Sequence, residues 1–278
     1  MKTYLITGGT GFLGEELIER LYNTDCKLRV VARNEGKLIM LREKYPDIEI
    51  ITGDISDNWI AKEACSGVDT IFHLAAMKSV DIAEKQCYEC ILTNVLGTIN
   101  IIKESYIQKP TSIIAISTDK AAQVSGVYGA TKLLMEKLFN EAENLNKDTN
   151  YRVVRYGNVL YSTGSVLIKW RNKIRNGEKV HITNPDMTRF FWTCDQAIDL
   201  IFECLNNSKD STPMIPKMKS LSIGDLLKAM ILKYSDGQKI DIEIIGNRGG
   251  ENLHETMDGK VFSNEVEQFA VNEIIELI

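Results

Sequence analysis

Thr3-Tyr4-Leu5-Ile6-Thr7-Gly8-Gly9-Thr10-Gly11-Phe12-Leu13-Gly14 stands almost at the start of the chain, followed by Glu15-Glu16-Leu17-Ile18-Glu19-Arg20-Leu21-Tyr22. A short apolar run, a glycine turn and a helically spaced apolar set (Leu17, Ile18, Leu21) form a strand–turn–helix unit. Glycines at 8, 11 and 14 let the backbone turn tightly, approach a pyrophosphate and pack helix on strand, with the phosphate on the helix N-terminus. Glycine triplets alone are weak signals, but this one has the required strand before it and helix after it. Gly8, Thr10, Gly11, Phe12, Leu13 and Gly14 are therefore candidate dinucleotide contacts.

Working outward, the alternation repeats. Strands are expected at 27–31, 48–52, 69–74, 112–116 and 151–155, with helices between them, including long ones at about 81–105 and 127–145. Successive βα units predict an α/β fold with a doubly wound parallel sheet in the Rossmann order, ligands lying at the strands' carboxyl ends. Past the second strand, Arg33 and Lys37 replace the carboxylate typical of an NAD site and suit a 2′-phosphate, favouring NADP. The alternative is that both are solvated cations, with Glu35 serving the ribose. Asp54 and Ile55 follow the third strand, Asp54 as an acceptor for adenine, while Asp57 caps the next helix. Leu74, Ala75 and Ala76 leave room for ribose and nicotinamide, and Lys78 is either a ligand contact or a surface lysine. Asn94 is expected to hydrogen-bond backbone across to the next strand.

Ser117 to Lys132 reads Ser-Thr-Asp-Lys-Ala-Ala-Gln-Val-Ser-Gly-Val-Tyr-Gly-Ala-Thr-Lys and joins the fifth strand to a helix. Tyr128 and Lys132 are four apart and share a helix face, placing a proton donor beside a cation. Beyond residue 157 the alternation loosens. A turn at 162–166 is expected before an amphipathic helix ending near 176–177, and further helices over 195–205 (capped by Asp195) and 222–234 (capped by Ser222). The chain is read as a dinucleotide-binding domain, 1–156, to which 190–212 returns, and a small interleaved substrate domain, 157–189 and 213–278.

Composition narrows the classes. With 44% hydrophobic and 26% charged residues and a net charge of -5, the chain has the profile of a globular protein without a nucleic-acid footprint. No signal peptide and no apolar run of transmembrane length are read, so a cytoplasmic protein with reduced thiols and no membrane partner is expected. Cys87 and Cys90 have C-x-x-C spacing without a second pair, and the three histidines are scattered. Helix packing is the reading for these cysteines, and no metal site is expected.

The glycine turn and the Tyr128/Lys132 pair resemble the extended short-chain dehydrogenases/reductases that modify nucleotide sugars. Ser117-Thr118-Asp119-Lys120-Ala121, Tyr128-Gly129-Ala130-Thr131-Lys132, Val154-Arg155-Tyr156-Gly157-Asn158-Val159, Gly164-Ser165-Val166, Met187-Thr188-Arg189-Phe190, and Arg248-x-x-Glu251 with His254-Glu255 narrow the resemblance. Together they look like the UDP-N-acetylglucosamine 4,6-dehydratases of the inverting, 5-epimerising type, over roughly residues 3–257. Thr-Asp-Lys is the specific element, since glucose-type dehydratases carry Asp-Glu there. The resemblance implies Thr118, Asp119, Lys120, Tyr128 and Lys132 as catalytic residues. It implies Lys78, Thr118, Asn158, Leu167, Thr183, Arg189, Arg248 and Glu251 as substrate contacts, with Val159, Tyr128 and Lys132 also meeting the cofactor. For Arg189, pairing with an internal carboxylate is an equal alternative. Departures are Asn252 where the family has lysine, which removes a cation, and Ser79-Val80-Asp81 in place of a bulkier triplet.

Free tyrosine, with a pKa near 10, is a poor base at neutral pH. Lys132 and the positive nicotinamide ring are expected to favour tyrosinate, so that Tyr128 takes the sugar's 4-OH proton as hydride leaves C4, with Thr118 holding O4. The resulting ketone acidifies C5. Lys120 is then expected to act at C5 and Asp119 to protonate the departing 6-OH, after which hydride returns to C6 and the cofactor is recycled. Reprotonation of C5 from the other face would invert it. A 4-epimerase or 4-ketoreductase is the alternative, and it has no water to expel. A non-catalytic NADP sensor would have no need of an intact Tyr128/Lys132 pair. A homo-oligomer, paired through the long helices, is expected.

Overall fold

Adjacent apolar residues along the strands point to opposite faces, so each strand needs covering on both sides and the sheet is wrapped by helices. A computed structural model describes residues 1–246 and 249–278. Strands β1 (Lys2–Thr7), β2 (Cys26–Ala32), β3 (Glu49–Thr52), β4 (Thr70–His73), β5 (Ser112–Thr118) and β6 (Asn150–Tyr156) form one sheet in the order β3-β2-β1-β4-β5-β6. All its pairings are parallel. This is the order expected from the alternation.

Neighbours in sequence divide between two cores. Ile6, Val30, Phe72, Ile114 and Val154 enter one with Leu17 and Ile18 of α1 (Phe12–Tyr22) and with Ile198 and Ile201 of α9 (Cys194–Asn207). Leu5, Val31, Ile71, Ile113 and Val153 enter the other with Ile101 of α6 (Gly97–Gln108) and with Met135 and Phe139 of α7 (Val127–Leu145). Each such side chain, once buried, contributes roughly 1.5–3 kcal/mol. The remaining helices on the sheet are α2 (Glu35–Lys44), α3 (Asn58–Cys65), α4 (Val80–Lys85) and α5 (Cys87–Ile91). A third core joins Leu167, Trp170 and Ile174 of α8 (Val166–Arg175) to Leu226, Leu227 and Met230 of α10 (Ile223–Tyr234). Around it lie the short strands β7 (Asn158–Val159), β8 (Val180–Ile182), β9 (Thr188–Trp192), β10 (Ser220–Ser222) and β11 (Ile242–Ile244), and helix α11 (Val271–Leu277).

Two local expectations are corrected. The helix expected over 81–105 is three helices: the backbone leaves helical geometry at Gln86 (φ -127°, ψ 54°) and widens into a π turn over Leu92–Leu96. That turn contains Asn94, whose side chain bonds outside its own helix, and such π turns occur at functional sites. The cap of α9 is Thr193, whose hydroxyl accepts from the Gln196 amide while Gln196 reaches back to Thr193. Asp195, read as the cap, lies inside the first turn. Asp57 and Ser222 do cap α3 and α10.

Candidate active site

The carboxyl ends of the six parallel strands converge on one edge, and most of the chemistry-bearing residues lie there. Gly8 has φ +69°, and a side chain on it would meet the Ala75 backbone at 2.8 Å. Only glycine permits this left-handed turn packed against the β4 exit. Gly11 opens α1 without any side-chain cap, leaving the first-turn amides of Phe12, Leu13 and Gly14 to an anion. These observations fit a dinucleotide pyrophosphate.

Beneath the turn lies a relay that sequence inspection missed. His73 is fully buried, with Nδ1 2.9 Å from Thr7 Oγ1 and Nε2 3.1 Å from Thr98 Oγ1. Thr98 donates to the Asn94 carbonyl, and Thr7 accepts from the Ala75 amide. One hydroxyl proton each makes the directions self-consistent: Nε2–H donates to Thr98, and Thr7 donates to Nδ1. Burial, with Lys132 nearby, pushes the His73 pKa down to about 3. A histidine held below its unfolded value of about 6.5 stabilises the fold above that pH, and the contribution is lost as pH falls from there toward 3. Denaturant titrations should show the parent losing stability by up to a few kcal/mol across this window. The His73→Gln variant should show a shallower acid dependence, whatever its starting stability.

At the ribose position, Arg33 is exposed and lies 3.5 Å from Asp54, and Lys37 is exposed at the start of α2. The other oxygen of Asp54 accepts from the Ser56 amide, and Ile55 is buried. Asn94 does not reach the next strand. It brackets Met77 just past β4, accepting from its amide at 2.7 Å and donating to its carbonyl at 3.0 Å, and it donates to Thr131 Oγ1 on α7 at 2.9 Å. The buried Cys90 joins this cluster, while Cys87 is exposed. Leu74, Ala75 and Ala76 are half-buried along the β4 exit. Lys78 follows, exposed on the surface yet with its ammonium held somewhat below the usual lysine value by the desolvating protein around it.

The Ser117–Lys132 connection gathers the candidate acid–base residues. Asp119–Ala121 form a 3₁₀ turn, with Thr118 as its cap. Gly129 lies under this turn, where any side chain would collide with the Lys120 carbonyl. The N-terminus of α7 is capped from α4: the Val127 amide donates to Glu84 Oε1 at 2.6 Å. Asp119 is fully buried, and its Oδ1 accepts from Thr118 Oγ1 at 2.8 Å and from Lys120 Nζ at 3.0 Å. Its Oδ2 has no hydrogen-bond partner among the described residues.

Burial raises the Tyr128 pKa to about 12; Lys120 and a hydrogen bond with Thr118 lower it, while Asp119 raises it. Lys120, from the 3₁₀ turn, thus acts on Tyr128 as a cation that the i, i+4 spacing does not reveal. Lys132 donates to the Ile116 carbonyl at 2.7 Å, and burial lowers its pKa to about 8. For Lys120, burial opposes the charge, but Asp119 and Glu255 outweigh it and bring the pKa to about 12. Lys120 rests as an ammonium.

The substrate candidates divide. Arg189 is turned inward, donating to the carbonyls of Thr188, Asn252 and Leu253, with Nε 3.8 Å from Glu255. The internal alternative therefore holds for it. Leu167 is fully buried in the third core, so its side chain is unavailable to a ligand, contrary to its assignment. Thr183 is half-buried, its hydroxyl against Met187 Sδ, and Asn158 Nδ2 donates to the Phe190 carbonyl at 3.2 Å. Val159 packs beside the first core. Glu251 lines a cleft of about 200 Å³ with Val80, Asp81, Glu84 and Gly249. Arg248 lies outside the described residues. A larger hollow of about 310 Å³ on β8, β11 and α10 is apolar and contains none of the residues above. Among the described residues no side-chain cluster suits a metal ion, and no helix is long and apolar enough to cross a membrane.

Residues 4–275 match the family described as polysaccharide biosynthesis protein. A UDP-N-acetylglucosamine 4,6-dehydratase (inverting) of Campylobacter jejuni is 37% identical over 263 residues, 92% of this chain and 77% of that protein. A UDP-glucose 4-epimerase of Rickettsia canadensis is 34% identical over 265 residues, with the same coverage. The crystal structure of Pen from Bacillus thuringiensis superposes with a TM-score of 0.89 at 34% identity, over 92% of this chain and 80% of that one. With its Rossmann order and its Tyr128/Lys132 helix, the chain belongs to the polysaccharide biosynthesis protein family, a branch of the extended short-chain dehydrogenases/reductases whose relatives here include nucleotide-sugar dehydratases and epimerases.

Proposed function

We propose that the protein is a UDP-N-acetylglucosamine 4,6-dehydratase that inverts C5. The observation that carries this reading is the buried Asp119–Lys120 pair, 3.0 Å apart, on the turn that also holds Thr118. Redox at C4 alone asks for Tyr128, Lys132 and Thr118; a second buried acid/base pair suits loss of water. The dehydratase relative supports the same step.

A nicotinamide dinucleotide, when bound, takes hydride from C4 and returns it to C6. The glycine turn would hold its pyrophosphate, Arg33 and Lys37 favour NADP, and Leu74, Ala75, Ala76, Val159, Tyr128 and Lys132 line the nicotinamide end. Tyr128 takes the 4-OH proton with Thr118 holding O4. For the second step, transfer of a proton from Lys120 to Asp119 yields the two forms required: a neutral amine to remove the C5 proton and a neutral acid to give a proton to O6. Lys78, Asn158, Thr183, Arg248 and Glu251 are proposed to hold the UDP-sugar. Tyr88 and Ile91 on α5 and Leu134 and Leu145 on α7 are exposed, which suits association with a second copy through these helices.

Incubation with NADP and UDP-N-acetylglucosamine in deuterated water tests the reading by NMR. The expected product is a 4-keto-6-deoxy sugar carrying deuterium at C5 in the L configuration. Unchanged sugar overturns the proposal. Simple inversion at C4 would instead support the second reading, a 4-epimerase, which the Rickettsia relative favours.

A further inference from the structure

Glu255 has no part in the reaction as described so far, yet it is the second carboxylate on the Lys120 ammonium. It is 1% exposed, and its backbone is clipped to Ser263, whose hydroxyl accepts from the Glu255 amide at 2.9 Å and whose amide donates to the Glu255 carbonyl at 2.8 Å. Glu255 Oε2 accepts from Asn252 Nδ2 at 3.2 Å, and the same amide donates to the Gln123 carbonyl. Oε1 has no hydrogen bond among the described residues but lies 3.6 Å from Lys120 Nζ and 3.8 Å from Arg189 Nε. Arg189 in turn pins the backbone at Asn252 and Leu253. The carboxylate is therefore fixed, buried and aimed at Lys120 without being hydrogen-bonded to it.

Resting on the dehydratase reading, we infer that Glu255 is a positioning residue for Lys120: it holds the resting amine as an ammonium and faces that charge again once Lys120 has taken the C5 proton. A fixed charge facing a site of developing opposite charge costs no reorganisation at the moment of reaction. The charge balance is closed. Before the step, Lys120 is neutral and Asp119 protonated; afterwards, Lys120 carries the proton taken from C5, Asp119 has given its proton to O6, and water has left. Asp119 is then an anion as well, and two carboxylates flank the new cation. The groups facing Lys120 are Asp119, Glu255, Arg189 and the Tyr128 hydroxyl, of which Arg189 opposes the ammonium. Asn252, where the family has lysine, keeps a further cation away from Glu255 and ties down its second oxygen.

The test uses the full chain with its cofactor and has two readouts. In deuterated water with UDP-N-acetylglucosamine, E255Q frees the amine more often while making it a weaker base, so the rise of C5 deuterium incorporation with pH should begin about one unit lower than in the parent. The burst of reduced nicotinamide that reports C4 oxidation should be unmoved. Independently of any sugar, competitive acetylation of Lys120, followed by peptide mass across a pH series, should show it about tenfold more reactive in E255Q below its pKa. E255D, which keeps the charge on a shorter arm, should fall between parent and E255Q in both, and it serves if E255Q does not fold. An unchanged acetylation profile overturns the assignment whether or not the sugar reading stands. Absence of C5 deuterium in the parent overturns the dehydratase reading and, with it, the step given to Glu255.

Discussion

Tyr128→Phe is expected to lower C4 oxidation by about 10²–10⁴-fold, the usual worth of a positioned proton acceptor, with the fold retained. In the folded chain burial drives this hydroxyl to about 12, with Lys120 and Thr118 pulling the other way. The tyrosinate needed for catalysis is therefore costly without a bound positive charge, and no neighbouring group replaces the lost oxygen. Removing the hydroxyl gives up the hydrogen bond with Thr118, a net loss of about 1 kcal/mol, so the melting transition should stay near the parent's. Single-turnover formation of reduced nicotinamide on adding UDP-N-acetylglucosamine makes the measurement. A parent-like burst in Tyr128→Phe would remove the residue from the hydride step.

Asp119→Asn and Lys120→Met should separate the two halves of the reaction. Both are expected to lower C5 deuterium incorporation by about 10²–10⁴-fold; Asp119→Asn should leave C4 oxidation within a few-fold of the parent, whereas Lys120→Met also removes a charge favouring the tyrosinate and should slow it. Their stabilities should diverge. Lys120→Met removes the cation paired with the fully buried Asp119, and breaking a buried pair by removing one partner costs about 3–5 kcal/mol. Asp119→Asn leaves Lys120 still paired with Glu255 and should cost less. Dehydration at the parental rate in both variants would end the assignment of these residues to the water-loss step.

Where local chemistry governs, the sequence was readable. The Gly8 turn, the Asp57 and Ser222 caps and the alternating Leu5/Ile6, Val30/Val31 and Ile113/Ile114 pairs act over a few residues, and their outcomes were visible in the letters. At the start of α9 both Thr193 and Asp195 are residue types that can cap, and the helix begins at Cys194, which puts Thr193 in position to accept from the Gln196 amide. The π turn within the helix expected over 81–105 was hidden because Asn94 draws partners from Met77 and Thr131, far away in the chain. Leu167 was misplaced for a similar reason. Its position beside Gly164-Ser165-Val166 says nothing about the third core that closes over it.

By itself the sequence determined the Rossmann order, the glycine turn after β1 and the candidate acid–base residues gathered between Ser117 and Lys132, because backbone geometry and side-chain type suffice for these. Only the tertiary structure decided how the charges are shared. It set Lys120 against Tyr128, gave Arg189 to the protein interior, and brought Glu255 from a distant segment to Lys120. Coulombic interactions in a buried site depend on distance and on the exclusion of water, and both come from the packing of segments remote in the chain.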